Sequence, residues 1–152
     1  MRRLTVTVFL LYAAAVVAVT VFPIRVRSAA YWTGEPWWTV FRWIPGDVDA
    51  PSFVLNVIMF LPLGVLLPLL RPALDDLRRL AGVAVAASLT IEVTQFLLGI
   101  TVGSRRTVDV NDLIANTAGA LLGLLILRLA VPSRQHRTGY GAESPQSPKP
   151  PG

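Results

Sequence analysis

Four stretches of this chain are each long enough and apolar enough to cross a lipid bilayer, which leaves few folds open. A helix needs roughly 20 largely apolar residues to traverse a hydrocarbon core of about 30 Å. The first stretch, 4–22, and the second, 51–70, hold no charged residue; Pro62 and Pro68 are expected to bend the second. The third, about 80–100, holds one acid, Glu92, and the fourth, about 110–131, is uncharged from Leu113 to Leu127. No run alternates apolar and polar residues as a half-buried strand does, and there is no internal repeat. In lipid every backbone N–H and C=O must find its partner within the protein, which restricts spanning structures to helices and closed barrels. The expectation is an all-α integral membrane protein, with a four-helix transmembrane bundle over residues 1–132.

Composition closes several functional routes. The chain has no cysteine, so disulfides, thiolate metal sites and a cysteine nucleophile are excluded. Its one histidine, His136, lies in a polar tail, which excludes a histidine-dependent triad and the paired-histidine zinc motif. The net charge is +5, yet the basic residues are scattered at the flanks of the apolar runs instead of forming one patch, so nucleic acid is not an expected partner. No cofactor and no metal site is expected. Thirteen of the fourteen basic residues are arginine, a bias that points to a GC-rich bacterial genome.

The first stretch follows Arg2 and Arg3, as a cleaved signal peptide also would. Its apolar run exceeds the usual 7–15 residues of a signal peptide, and Val-Phe-Pro-Ile-Arg follows where small residues should sit, so a retained signal-anchor helix is expected. Lys and Arg in short connections favour the cytoplasmic side. With both termini cytoplasmic, nine basic residues lie inside and five outside, which selects that orientation in the bacterial plasma membrane.

The first outer loop, 23–50, carries all four tryptophans, Trp32, Trp37, Trp38 and Trp43. Glu35-Pro36 can open a short helix and Pro45-Gly46 can end it, placing Trp37, Phe41 and Ile44 on one face, so a short interfacial helix is expected there. Residues 133–152 are rich in Pro, Ser, Gly and Gln and are expected to form a disordered cytoplasmic tail.

Polar residues within the spans are the chemical content of the chain. On the third helix Ser88, Glu92, Gln95 and Gly99 share one face. An acid within a span costs at least about 2.5 kcal/mol on insertion scales, so it faces the bundle interior or a wet cavity. On the fourth helix Asp112, Asn116, Gly119 and Gly123 form a second stripe. Gly119-Ala-Leu-Leu-Gly123 is a GxxxG pattern suited to close helix packing or to a homodimer contact. Asp109 and Asn111 are natural N-caps, but capping does not explain Asp112 and Asn116 further in. On the second helix Asn56 is followed at i+4 and i+8 by Phe60 and Gly64. Counted along the helices, Asn56, Gln95 and Asn116 are expected roughly 6–8 Å below the outer surface with Glu92 about one turn deeper, all beneath Arg105 and Arg106.

Three of these segments resemble a known family. Asn56-Val-Ile-Met-Phe60-Leu-Pro62-Leu-Gly64 is similar to the second-helix motif of the VanZ-like membrane proteins. Glu92-Val-Thr-Gln95 resembles the acidic motif of their third helix, and Arg106-Thr-Val-Asp109-Val-Asn-Asp112 with Leu-Ile-Ala-Asn116 resembles their final motif. Val108 stands where the family usually has an aromatic residue. The resemblance covers about residues 4–130. It implies a small membrane protein whose founding relative is associated with low-level resistance to teicoplanin, a glycopeptide antibiotic bearing a lipid tail.

The leading expectation is an outward-facing pocket for an amphiphilic envelope molecule, either a lipid-linked cell-wall precursor or a lipoglycopeptide. Arg105 and Arg106 would engage anionic groups, Asn56, Gln95 and Asn116 would hydrogen-bond, Glu92 and Asp112 would set the local charge, and Asp109 joins them as a ligand-binding candidate. Three alternatives stay open: an enzyme on a lipid-linked substrate using Glu92, Asp109 and Asp112; a dimeric proton-coupled transporter using Glu92; and a purely structural bundle.

Overall fold

A computed structural model of the chain describes residues 2–22, 41–102 and 108–131. Helix α1 (Arg2–Val21) is followed by strand β1 (Phe41–Arg42) and helix α2 (Ala50–Leu70). A 3-10 turn, Pro72–Leu74, leads into α3 (Leu77–Val102); strand β2 (Val108–Asp109) then runs directly into α4 (Val110–Ala130). All four α-helices carry a stretch long and apolar enough to span a membrane, so the chain is a multi-pass membrane protein. α3 outruns the stretch read from the sequence at both ends, because Arg78 and Arg79 extend its first turn and Thr101 its last. α2 is continuous through Pro62 and Pro68, a tolerance that membrane helices show when neighbours satisfy the freed carbonyls.

The two strands are unexpected. Phe41 pairs with Val108 and Arg42 with Asp109 in a parallel ladder joining the two loops at one end of the bundle, here termed the strand end. This corrects the expected interfacial helix where it can be seen: Phe41–Arg42 is extended, and Pro45-Gly46 forms a turn with Gly46 at φ 94°. The Phe41 ring stacks on Trp43 at 5.1 Å and tilts against Phe96 at 5.5 Å, contacts that an isolated loop helix would not make. Residues 35–40, with Trp32, Trp37 and Trp38, lie outside the described residues, as does the tail from 132 onward.

α4 is the hub of the bundle. It packs most extensively on α2 and next on α3, while α2 and α3 scarcely touch one another and α1 rests lightly on both. α2 and α4 both start at the strand end and run parallel, with glycines at their seam. A Cβ at Gly64 would overlap the Ala120 carbonyl, one at Gly119 the Val57 carbonyl, and one at Gly123 the Leu61 carbonyl. Lipid tails are as apolar as leucine, so close backbone packing rather than hydrophobic burial holds such a pair together. The GxxxG stripe is thus consumed inside the chain and is not available as a homodimer contact. Phe60 fills the space beside the seam with Ala84 and Ala120.

The hydroxyls of the spans sort by face. Thr90, exposed on α3, and Thr94, half-buried, donate to the carbonyls of Ala86 and Thr90 in the preceding turn. Self-satisfied in this way, they can face lipid. Ser88 and Glu92 on the opposite face are buried.

Candidate functional site

The polar stripes of α3 and α4 meet along an antiparallel contact. Asn116, 2% exposed, donates from Nδ2 to Ser88 Oγ at 2.8 Å. One turn nearer the strand end on each helix stand Glu92 and Asp112. Glu92 is 5% exposed and has the Asp112 and Asp109 carboxylates as its charged neighbours. Among the described residues, Glu92 Oε2 and Asn116 Oδ1 are buried with no hydrogen-bond partner. Both are acceptors.

α2 enters the site through Asn56, whose Nδ2 donates to Asp112 Oδ1 at 2.5 Å. α1 enters through its last turn, where the Thr20 carbonyl accepts from Gln95 Nε2 at 3.1 Å. A second contact, from the Tyr12 hydroxyl to the Met59 carbonyl at 2.7 Å, fastens α1 to α2. Asn56, Gln95 and Asn116 do not form the single layer that residue counting suggests. Asn116 is drawn to Ser88, one turn deeper than Glu92, and Asp112 takes its place beside Asn56. α3 runs three residues beyond Gly99, so its polar face sits deeper than the expected boundary implied.

Two clefts open at this end and share Ser52 and Asp112. One, of about 370 Å³, lies beneath the end of α1 and is lined by Val19, Thr20, Asn56, Met59 and Gln95 with the shared pair. The other, of about 380 Å³, adds Arg42, Asp49, Asp109 and Asn111. Arg42 is also the cationic neighbour of Asp112. Among the described residues, no three His, Cys, Asp or Glu side chains gather in an arrangement that would hold a metal ion.

Asp109 caps α4, its Oδ1 accepting from the Asn111 backbone N–H at 2.8 Å. Asn111 has a different task from the one its cap-like sequence suggests. Its Nδ2 donates to the carbonyls of Ile44 and Asp47 and to Asp109 Oδ1, while its own Oδ1 accepts from Gly46 N–H. It therefore clips the 44–47 turn onto the first turn of α4.

The described structure thus brings together Asn56, Glu92, Gln95, Asp109, Asp112 and Asn116, and puts Gly64, Gly119 and Gly123 at the α2–α4 seam. Arg105 and Arg106 lie outside the described residues. Sequence reasoning missed Thr20, Arg42, Ser52 and Asn111. Ser52 was legible, lying at i−4 from Asn56 on one helical face. Nothing in the sequence marks Arg42, which reaches the site through strand pairing.

A match of 39% identity over 75 residues links the chain to Protein VanZ of Enterococcus faecium, covering 49% of this chain and 43% of that protein. The matched part thus spans less than half of that relative. No solved structure matches. The sequence pattern of the VanZ/LLP1 family extends over residues 9–131, from the middle of α1 through the end of α4, taking in the glycine seam and every polar residue of the site, and the chain belongs to that family.

Proposed function

We propose that this protein binds an amphiphilic envelope molecule, a lipid-linked cell-wall precursor or a lipoglycopeptide antibiotic, in the polar pocket at the strand end, and so contributes to glycopeptide resistance of the teicoplanin type. The observation that carries this reading is the convergence of Asn56, Gln95 and Asp112, from three different helices, on one open cleft within the spans. Polar side chains are costly in a bilayer, and two helices need only one such pair to lock together. An open cleft lined by them suits a molecule with a polar head and an apolar body. Membership of the VanZ/LLP1 family, whose founding relative is associated with teicoplanin resistance, supports the link to resistance. The basic-residue count supports an orientation with the strand end outside the bacterial cell membrane and both termini in the cytoplasm.

The test is susceptibility of a sensitive host making the wild type, Glu92→Gln, Asp112→Asn or Arg106→Ala at equal membrane levels. Protection against teicoplanin but not vancomycin, abolished by the substitutions, is the expected result. Protection against neither drug would remove resistance from the reading. Orientation is checked separately by single cysteines in this cysteine-free chain: Asp47→Cys should react with an impermeant maleimide on intact cells, and Arg79→Cys should not.

A further inference from the structure

The positive charge of the chain is confined to one end of the bundle. Residues 23–50 and 103–112, the α1–α2 and α3–α4 connections with the first turn of α4, hold five basic and five acidic side chains. Residues 2–3, 71–79 and 128–152, which flank the opposite end, hold nine basic and three acidic. There the α2–α3 connection carries Arg71, Arg78 and Arg79, all exposed, within one helical turn of the apolar stretches that close at Leu70 and open at Leu77. Both acids of the connection are engaged already. Asp75 is paired with Arg128 through its carboxylate at 2.7 Å and its carbonyl at 2.9 Å, and Asp76 caps α3 by accepting from Arg79 N–H. The Arg79 guanidinium folds back to the Ala73 carbonyl at 3.5 Å, which lays it over the 3-10 turn. Among the described residues Arg71, Arg78 and Arg79 form no ion pair. Leu69 and Leu77, 52% and 51% exposed, stand in the adjoining turns. Surplus guanidinium at the hydrocarbon edge thus lies next to bare apolar side chains, a combination that suits a lipid and not a free phosphate.

We propose that the α2–α3 turn is a binding site for an anionic phospholipid, its phosphodiester held by Arg71, Arg78 and Arg79 and its acyl chains lying against Leu69 and Leu77. Guanidinium forks match phosphate oxygens bidentately, and basic side chains beside a span attract anionic lipid. The head must carry net negative charge, because a zwitterionic head brings its own ammonium to a site already rich in cations. The inference concerns the end remote from the cleft and stands whether or not the cleft takes a ligand.

The experiment uses the purified full chain in phosphatidylcholine nanodiscs and two probes with the same diazirine-bearing acyl chains, a phosphatidylglycerol and a phosphatidylcholine. Cross-linked residues are mapped by mass spectrometry. Phosphatidylglycerol should label residues 69–79 more than phosphatidylcholine does, by on the order of tenfold, the weight of two surplus arginines near a membrane surface. Residues 44–49 at the strand end, where charge is balanced, should show no such margin. Arg78→Gln with Arg79→Gln leaves the connection and Arg128 with as many acids as arginines, so the margin should fall to about one while phosphatidylcholine labelling keeps its pattern. Arg71→Gln should narrow it severalfold by the same count. Arg2→Gln with Arg3→Gln removes equal charge from the same end outside the turn and should leave the margin at 69–79 in place. Soluble glycerol phosphate, which has the phosphate without the chains, should not compete. Equal labelling of 69–79 by both probes would overturn the proposal, as would an equal margin at the strand end. Loss of the margin in the Arg2 and Arg3 variant would replace the site with general attraction of the basic end for anionic lipid, and competition by glycerol phosphate would overturn the assignment to a lipid.

Discussion

At the scale of single residues, the glycines of the α2–α4 seam are the least replaceable positions. Their added Cβ atoms would meet backbone carbonyls, which cannot rotate away as a side chain can. Gly119→Ala and Gly123→Ala should each destabilise the bundle by about 1–3 kcal/mol, the usual cost of overpacking, read by resistance to unfolding in mixed micelles. These variants should lower stability without changing the oligomeric state, because the stripe faces α2 of the same chain. Ser88→Ala removes the acceptor for Asn116 and should cost about 1 kcal/mol, near the upper part of the range for interhelical hydrogen bonds in membranes. Asn111→Ala removes three hydrogen bonds to the 44–47 turn and one to Asp109, and a loss of about 1–3 kcal/mol is expected. Hydrogen exchange should rise at Gly46 and Asp47 well before it rises along α4. The roles of Glu92 and Gly119 were readable in advance, one as an inward-facing acid and one as a packing residue. The role of Asn111 was not, because its partners Ile44, Gly46 and Asp47 lie in another part of the chain.

At the scale of elements, the connection between α2 and α3 shows how a short polar segment is held. Asp76 caps α3, its Oδ1 accepting from Arg79 N–H at 2.9 Å. That hydrogen bond, with the nearby Arg78 and Arg79 charges, holds the Asp76 carboxyl below its ordinary value of 3.8. A lowered carboxyl stabilises the folded state above the unfolded value, and the contribution disappears as pH falls through the folded one. The α3 N-terminus should therefore fray progressively below about pH 4, and Asp76→Asn, which retains a capping oxygen without charge, should abolish that pH dependence in helix-terminal hydrogen exchange. Arg128 closes the same end by donating from Nε to Asp75 Oδ1 at 2.7 Å and from an Nη to the Asp75 carbonyl. Its partner is about half exposed, so Arg128→Ala should change stability by no more than about 1 kcal/mol. The helices themselves were legible to within a few residues, since each is fixed by a local run of apolar side chains. The β1–β2 pair was not, because two-residue strands carry no periodicity and form only once the bundle brings two loops to the same end.

At the scale of the whole molecule, a single helix organises everything else. α4 holds α2 by a glycine seam and α3 by polar contacts, which leaves α2 and α3 apart and gives α1 a shallow trough to cover. The open cleft follows from that arrangement: a bundle in which all neighbours packed equally would have closed it. Membrane insertion, the number of spans and the inward face of α3 were determined by sequence alone, because transfer into lipid sums over a local window and a helix turns through a known angle per residue. Partner choice was decided only by the tertiary structure. Asn56 meets Asp112 across 56 residues, Asn116 turns to Ser88 instead of Gln95, and Arg42 arrives beside Asp112 by strand pairing. Each of these depends on how far one rigid helix slides and rotates against another, and that is set by where glycine lets two backbones touch.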